Sequence, residues 1–343
     1  MTAGAEGTHE RRPLLGRAPA VALAAVLLSP PAIGASPEAQ LERMVSALRT
    51  LSYEGTLVYL SDNRLEALRV LHRVDPDGRA HEQILTLNGP VRSLVRDHDQ
   101  VTCELPDALP ISVRRSGIAG DLLRSRVIDP EALGPLYLVH PLGSARVAGR
   151  QTEVIGVIPR DDLRYGYRFY LDAESGLPLK SDLMGEDPEP IEQIMFTSLN
   201  LLPTVPRGSP EGHELRAAAM PEPAARVDAT APVTDAPEQP AARHPSDWGF
   251  ADLPAGFEVV LNDRWLDASG AMVEHMVVSD GLAALSVYVE GDTEEGLAGA
   301  ARMGAIHALG RRVAGHQVTV VGEVPAKTIE ATLDGLRYSG PQR

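Results

Sequence analysis

The sequence predicts an α+β protein of two domains, each built on an antiparallel sheet with few helices. Short runs of alternating apolar and polar residues, typical of half-buried strands, are separated by turn-forming residues. A stretch at 203–245 contains nine prolines and divides these runs into two groups. With 343 residues, 43% of them hydrophobic, the chain is long enough for two ordinary cores.

Residues 1–35 are predicted to be an export signal. Arg11, Arg12 and Arg17 precede an apolar stretch at 18–28, and small residues up to Ala35 offer a cleavage site. The apolar stretch is shorter than a membrane-spanning helix requires, although an uncleaved anchor stays an alternative. We therefore expect the mature protein outside the cytoplasm.

The first domain, predicted at 36–202, begins with a helix and continues as a sheet. Ser36 and Pro37 are suited to the start of a helix, and apolar residues then recur at helical spacing. Strands are predicted at 53–60, 65–74, 81–87, 91–96, 100–105, 146–158, 164–172, 179–184 and 191–199. About nine strands in one meander form a sheet that curls, and a helix over its mouth leaves an apolar cavity.

One face of these strands is predicted to line that cavity. In the run 164–172, the aromatic side chains alternate with Arg164 and Arg168, which the pattern places on the solvent side. The cavity-lining residues are predicted to be Leu57, Tyr59, Leu68, Val70, Val74, Tyr165, Tyr167 and Phe169.

A Pro/Ala-rich linker is predicted at 203–246, followed by a small α+β domain at 247–340. The linker has too few large apolar residues to form a core, so it allows the two domains to separate. In the second domain, strands are predicted at 257–261, 272–278, 285–290 and 317–322. A helix begins at Pro325, with Ile329 and Leu333 on its apolar face.

Composition and motifs argue against several functions. A formal net charge of −15 repels nucleic acid and anionic lipid surfaces. The single cysteine, Cys103, excludes an intramolecular disulfide and is interpreted as a small buried side chain. Asp161 and Asp162 are interpreted as a solvated turn, and no catalytic or metal-binding motif occurs. We expect no enzyme activity, no cofactor and no metal.

Several short motifs, taken in order, resemble the MucB/RseB family. In the first domain they are Tyr53-Glu54-Gly55-Thr56, Leu65-Glu66-Ala67, Leu87-Asn88-Gly89, Arg146-Val147-Ala148-Gly149-Arg150, Arg164-Tyr165-Gly166-Tyr167 and Leu177-Pro178-Leu179-Lys180. In the second they include Leu253-Pro254-Ala255-Gly256-Phe257, Ser279-Asp280-Gly281-Leu282-Ala283 and Ser286-Val287-Tyr288-Val289-Glu290. The resemblance covers nearly all of the mature chain.

The resemblance implies a lipoprotein-carrier-like, half-open antiparallel β-barrel joined to the small C-terminal domain. It also implies a periplasmic regulator that binds the periplasmic segment of a transmembrane anti-sigma factor and protects it from regulated proteolysis. The envelope-stress sigma factor is thereby restrained. The implied releasing signal is lipid, lipopolysaccharide or the acyl chains of a mislocalised lipoprotein. The sequence leaves open whether the protein forms a homodimer.

The anti-sigma factor is expected to bind chiefly to the second domain, where the strand 285–289 offers its edge or its face to an extended peptide. The expected contact residues are Phe257, Ser279, Asp280, Leu285, Val287, Tyr288 and Val289. A periplasmic carrier or chaperone for lipid or lipoprotein is the alternative function. The first sheet alone suits a carrier, but that function leaves the second domain unexplained, and an enzyme ranks third.

Overall fold

The computed structural model describes residues 36–88, 93–97, 100–104, 111–114, 133–203, 246–266, 270–291 and 296–340. The predicted export signal and almost all of the predicted linker lie outside these residues, and Cys103 is described by its backbone alone. The described residues form a large and a smaller antiparallel sheet with two helices, which confirms the α+β class. Within these ranges, no helix is long and apolar enough to cross a membrane.

The first sheet has eleven strands. They are β1 (Ser52–Ser61), β2 (Arg64–Val74), β3 (Ala80–Thr86), β4 (Ser93–Asp97), β5 (Gln100–Glu104), β6 (Ile111–Arg114), β7 (Tyr137–Val147), β8 (Arg150–Pro159), β9 (Gly166–Asp172), β10 (Pro178–Met184) and β11 (Pro190–Leu202). Their order is β6-β5-β4-β3-β2-β1-β11-β10-β9-β8-β7. Strand β7 also packs against β9 and β11, so the sheet curls without closing.

Helix α1 (Pro37–Thr50) covers the concave side of this sheet. Ser36 accepts a hydrogen bond from the N–H of Ala39 at 3.2 Å, and a proline occupies the first turn, as predicted. Leu41, Met44 and Leu48 are buried and belong to one core with apolar residues of the sheet. The predicted helix is therefore confirmed, and it buries its apolar face against the sheet.

The second sheet has six strands, and a two-stranded ribbon accompanies it. The elements are β12 (Trp248–Phe250), β13 (Glu258–Leu266), β14 (Met272–Ser279), β15 (Ala284–Glu290), β16 (Gly299–Met303), β17 (Ile306–Val313), β18 (His316–Gly322), α2 (Ala326–Gly335) and β19 (Leu336–Tyr338). The sheet order is β13-β14-β15-β18-β17-β16, and β12 pairs with β19. Helix α2 packs Ile329 and Leu333 into a core of its own with Val287 and Val320.

Several strands differ from the sequence prediction. The run 146–158 is two strands, because Ala148 and Gly149 have φ values of 49° and 77° and form the turn between β7 and β8. Strand β13 extends to Leu266, and β16 and β17 were not predicted. All five residues of β16 are exposed, so its sequence lacks the alternation that marks a half-buried strand.

His275 is a buried polar side chain on β14. Its Nε2 lies 2.8 Å from Ser286 Oγ, and its ring stacks on Tyr288 with a centroid distance of 4.4 Å. Burial lowers the pKa of His275, and the carboxylate of Asp263 opposes this shift only in part. The imidazole is therefore held neutral inside the sheet.

We predict that the free energy of unfolding falls as the pH drops below about 6.5, the ordinary pKa of histidine. The pKa of His275 is lower in the folded state than in the unfolded state, so below about pH 6.5 the unfolded chain binds a proton first. The stabilisation that the neutral imidazole gives is therefore complete above that pH and is lost as the pH falls toward the folded pKa. Urea unfolding at pH 7.5 and pH 5.0 measures this slope. The slope should be smaller in His275→Asn, and an unchanged slope in that variant contradicts the prediction.

Candidate functional site at the junction of the two sheets

The two sheets meet end to end through their turns, inside one compact unit that spans residues 35–343. On the first sheet, the contacts come from the start of β7, the β8–β9 loop, the β1–β2 turn and the start of β11. On the second, they come from the β12–β13 loop, the β14–β15 and β16–β17 turns, and the start of α2. We call this contact the junction.

Arg164 lies at the centre of the junction, in the loop before β9. Its Nε and Nη2 donate to the two carboxylate oxygens of Asp161 at 2.9 and 3.0 Å, and its Nη1 donates to Asp280 Oδ2 of the second sheet at 2.6 Å. A further hydrogen bond runs from Nη2 to the carbonyl of Ala255. The side chains of Arg164 and Asp280 are both 0% exposed. Four of the five N–H groups of the guanidinium therefore have acceptors.

Asp280 has a partner at each oxygen. Oδ2 accepts from Arg164 and from the hydroxyl of Tyr137 at 2.8 Å, while Oδ1 accepts from the backbone N–H groups of Leu282 and Ala283. Burial and the charge of Asp280 raise the pKa of Tyr137, so the phenol keeps its proton. The same carboxylate thus closes its own turn and binds the first sheet.

Aromatic rings surround the guanidinium. The Cζ of Arg164 lies 5.0 Å from the ring centroid of Phe257 and 5.6 Å from that of Tyr137. Burial by itself lowers the pKa of Arg164, but hydrogen bonds to Asp161 and the charge of Asp280 outweigh it, and the net shift is upward. The cation is permanent, and the rings shield it from water.

The start of α2 adds two contacts to this side of the junction. Thr328 Oγ1 donates to the carbonyl of Leu163 at 2.5 Å, and Lys327 forms an ion pair with Asp162. The sequence predicted a solvated turn at Asp161 and Asp162. Asp162 is exposed, in agreement with that prediction, whereas Asp161 is half-buried. Each of them supports a contact with the second sheet, Asp161 by orienting Arg164 and Asp162 directly.

The β16–β17 turn forms the other side of the junction. The N–H of Gly304 donates to Asp62 at 2.8 Å, and the N–H of Ala305 donates to Glu192 Oε1 at 2.9 Å. Gly304 has a φ of 60°, and a Cβ there would lie 2.5 Å from Glu192 Oε1. Glycine is required by this close approach as well as by the turn.

Three tyrosines of the first sheet reach the junction from the core. Tyr59 donates to Glu192 Oε2 at 2.8 Å, Tyr167 donates to Glu323 at 3.3 Å, and the hydroxyl of Tyr165 lies 3.5 Å from His307 Nδ1. Burial raises the pKa of Tyr59 and of Tyr165. Glu323 and His307 belong to the second sheet region, so the hydroxyls of Tyr165 and Tyr167 face the other sheet.

These tyrosines are among the residues predicted to line a lipid cavity. In the structure, Leu57, Leu68, Val70, Tyr167 and Phe169 lie together in the buried core of the first sheet, and Tyr59 and Tyr165 pack against it. Val74 is half-buried near the end of β2. A charge at Val70, which is 1% exposed, would therefore disturb folding. A pocket of about 420 Å³ lies elsewhere, beside polar residues that include Glu54, Arg69 and Asn200.

The residues predicted to bind the anti-sigma factor are divided between the junction and the second core. Asp280 and Phe257 contact Arg164, and Ser279 donates to the carbonyl of Ala283 in the same turn. Leu285, Val287 and Val289 are buried, and Tyr288 stacks on His275. Strands β14 and β18 pair with both edges of β15, so the expectation that β15 offers a free edge is wrong.

Sequence reasoning did not find the role of Arg164. The alternating pattern placed it on the solvent side of a strand, but β9 begins only at Gly166 and the rule does not apply to the loop before it. The spacing of Asp161 and Arg164, three residues apart, was a usable signal for an ion pair. Asp280, 116 residues further along the chain, was not predictable as its partner.

We predict that Arg164→Met lowers the free energy of unfolding by about 3–5 kcal/mol, because it leaves the carboxylate of Asp280 buried without its cation. Chemical denaturation measures the change. Arg168→Met is the matched control, since Arg168 is about one-third exposed and its partner Asp182 keeps Lys180 at 3.1 Å. We expect at most about 1 kcal/mol there. Equal losses in the two variants would contradict a central role of Arg164.

Family models and related proteins assign the chain to the same family. The model of the MucB/RseB N-terminal domain matches residues 36–222, and that of the MucB/RseB C-terminal domain matches residues 242–337. The chain is 31% identical to the sigma factor AlgU regulatory protein MucB of Pseudomonas aeruginosa, over 87% of this chain and 89% of that protein. It is 29% identical to the sigma-E factor regulatory protein RseB of Escherichia coli K12, over 89% and 91%.

Solved structures agree with this assignment. The complex of P. aeruginosa MucA and MucB is similar with a TM-score of 0.64 and 28% identity, covering 89% of this chain and 99% of that chain. A crystal structure of MucB in complex with MucA(peri) has a TM-score of 0.62 and 28% identity, with coverages of 89% and 100%. Because family models and relatives match the chain along both of its sheets, the chain belongs to the MucB/RseB family.

Proposed function

We propose that this protein is a periplasmic regulator that binds the periplasmic segment of a transmembrane anti-sigma factor. Binding protects that segment from regulated proteolysis and so restrains an envelope-stress sigma factor. Lipid or the acyl chains of a mislocalised lipoprotein weaken the binding. The observation that carries this proposal is the family match over both sheets, together with the solved complex of a relative with the periplasmic part of MucA.

The junction supports a regulatory function rather than transport alone. A lipid carrier needs the first sheet but no second one. Among the described residues, the two sheets share a buried ion pair and eight further polar contacts, including those of Thr328, Gly304 and Ala305. Domains joined by polar contacts can change their relative placement between two states, and a ligand can bias that equilibrium.

The tyrosines at the junction supply a route from lipid to partner. The rings of Tyr165 and Tyr167 lie in or against the first core, and their hydroxyls face His307 and Glu323 of the second sheet region. An acyl chain that enters among these rings has to displace them. Such a ligand favours separation of the sheets if it binds the separated state more tightly than the joined one. A tenfold higher affinity for the separated state shifts the equilibrium by about 1.4 kcal/mol.

We predict that lipid weakens the binding of the anti-sigma segment at least tenfold in the intact protein but not in the isolated segment 248–343. The second core is formed by residues of this segment alone, so the segment is expected to fold by itself. Calorimetric titration of both proteins with the periplasmic segment, with and without fatty acid, measures the effect. Equal inhibition of the two would indicate direct competition and would contradict a rearrangement at the junction.

A second prediction concerns Tyr167→Phe, which keeps the ring but removes the hydrogen bond to Glu323. A hydrogen bond worth about 1 kcal/mol corresponds to roughly a fivefold change. The fatty acid concentration that half-releases the segment should fall by about that factor. Tyr170→Phe is the control, because the hydroxyl of Tyr170 donates to Asp182 within the first sheet. The same shift in both variants would show that the junction hydrogen bond has no special effect.

A further inference from the structure

Strand β13 is a free edge of the second sheet. Its residues pair with β14 on one side, and among the described residues no strand pairs with the other side. Eight of its nine residues are exposed. A one-residue irregularity lies between Val259 and Leu261, after which the pairing with β14 is regular to Leu266. The regular part offers a row of backbone donors and acceptors.

The side chains of this edge are unusually apolar for an exposed strand. Thirteen large hydrophobic residues are exposed in the described part of the chain, and six of them belong to β13 and the first residue of β14. They are Val259, Val260, Leu261, Trp265, Leu266 and Met272. The opposite edge, β16, contributes only Met303. Proteins usually protect edge strands with charges, prolines or covering segments, because an open apolar edge pairs with other chains.

Strand β13 has three charged residues, and two of them have partners within the sheet. Asp263 Oδ1 accepts from the backbone N–H of Arg264 at 2.9 Å, and Glu258 is exposed. Arg264 Nε lies 3.4 Å from the carboxylate of Glu274 on the neighbouring strand β14, and Asp263 is opposite His275 of the same strand. A segment with alternating apolar side chains matches Leu261 and Trp265 on one face and Leu266 on the other. A charged segment would lose water beside these apolar side chains.

The position of β13 is tied to the junction. Phe257 immediately precedes it and packs under the guanidinium of Arg164, and the carbonyl of Ala255 accepts from Arg164. A Cβ on Gly256 would lie 2.5 Å from the side chain of Leu136, so the loop packs closely on the first sheet. Ala255, Gly256 and Phe257 therefore connect the junction to the start of β13, so a displacement of the junction also moves the first residues of β13.

We propose that β13 receives an extended, apolar segment of the anti-sigma factor as an additional antiparallel or parallel strand, and that the junction controls the geometry of this edge. The inference rests on the proposed function, which supplies a polypeptide partner. It assigns to that partner a binding surface different from the residues expected from the sequence, most of which are buried. Main-chain hydrogen bonds contribute affinity, and the apolar side chains of β13 contribute selectivity.

Hydrogen exchange of the intact protein tests this placement directly. The probe is the recombinant periplasmic part of the MucA-type protein from the same organism. We expect the amides of 258–266 to exchange at least tenfold more slowly when the probe is bound, because they enter a ladder, whereas those of 299–303 stay unchanged. Protection that is absent from 258–266 while the probe is bound would overturn the inference.

Substitutions provide a second measurement. The pair Val260→Lys and Leu266→Lys places charges at two side chains that are each 61% exposed, so folding should be unaffected. We expect the Kd for the probe to rise at least tenfold. Met303→Lys, at a residue 69% exposed on the opposite edge, is the matched control and should change the Kd less than twofold.

The outcomes distinguish the two proposals. If the unmodified protein does not bind the probe, the proposed function is wrong. If it binds and the paired β13 variant binds equally well, with the same melting temperature as the unmodified protein, only the β13 site is wrong. If the control variant loses affinity as much as the β13 variant, the effect is one of added charge and the site is also rejected.

Discussion

The buried ion pair between Arg164 and Asp280 determines how the two sheets are placed. Both side chains are withdrawn from water, and this is tolerated because nearly every donor and acceptor has a partner. An apolar junction of the same size would often be at least as stable. After separation, however, its apolar surfaces would be exposed to water and would bind other apolar surfaces. Ions regain their hydration when two surfaces part, so the polar contacts of the junction suit the proposed rearrangement.

The same reasoning explains the amphipathic residues around the pair. Tyrosine combines a large apolar ring with one polar atom, and Tyr59, Tyr137 and Tyr167 use the ring in the first core and the hydroxyl at its border. The core and the junction are thus not independent layers. A change in the packing of the rings moves the atoms that contact Glu192, Asp280 and Glu323.

The sequence allowed the local structure to be predicted where local rules decide it. Helix α1 was predictable from Ser36 and Pro37, and β1, β2 and β3 from apolar runs bounded by turn-forming residues. Strands β16 and β17 were not, because neither has a consistently buried face. Their place in the sheet is set by pairing, of β17 with β18 and of β16 with β17, which only the folded chain provides.

The site was harder to predict than the fold, since it is made by residues far apart in sequence. Asp280 was recognised as part of a motif, but its partner Arg164 was assigned to the solvent side of a strand. The apolar strand β15 was chosen for peptide binding because it is strongly hydrophobic. Such a strand is usually central, and β15 indeed lies between β14 and β18.

Because the junction is built from turns, it restricts the lengths that these turns can have in related proteins. The β8–β9 loop and the β14–β15 and β16–β17 turns each place a backbone or side-chain atom within hydrogen-bond distance of the other sheet. An inserted residue in any of them would move that atom by a few ångströms, about the rise of one residue. In the turn at 75–79 between β2 and β3, by contrast, the N–H of Asp75 donates to the carbonyl of Arg79 and that of Gly78 to the carbonyl of Asp75. Variation in length is therefore expected to accumulate in such self-contained turns, and the turns of the junction are expected to keep a fixed length.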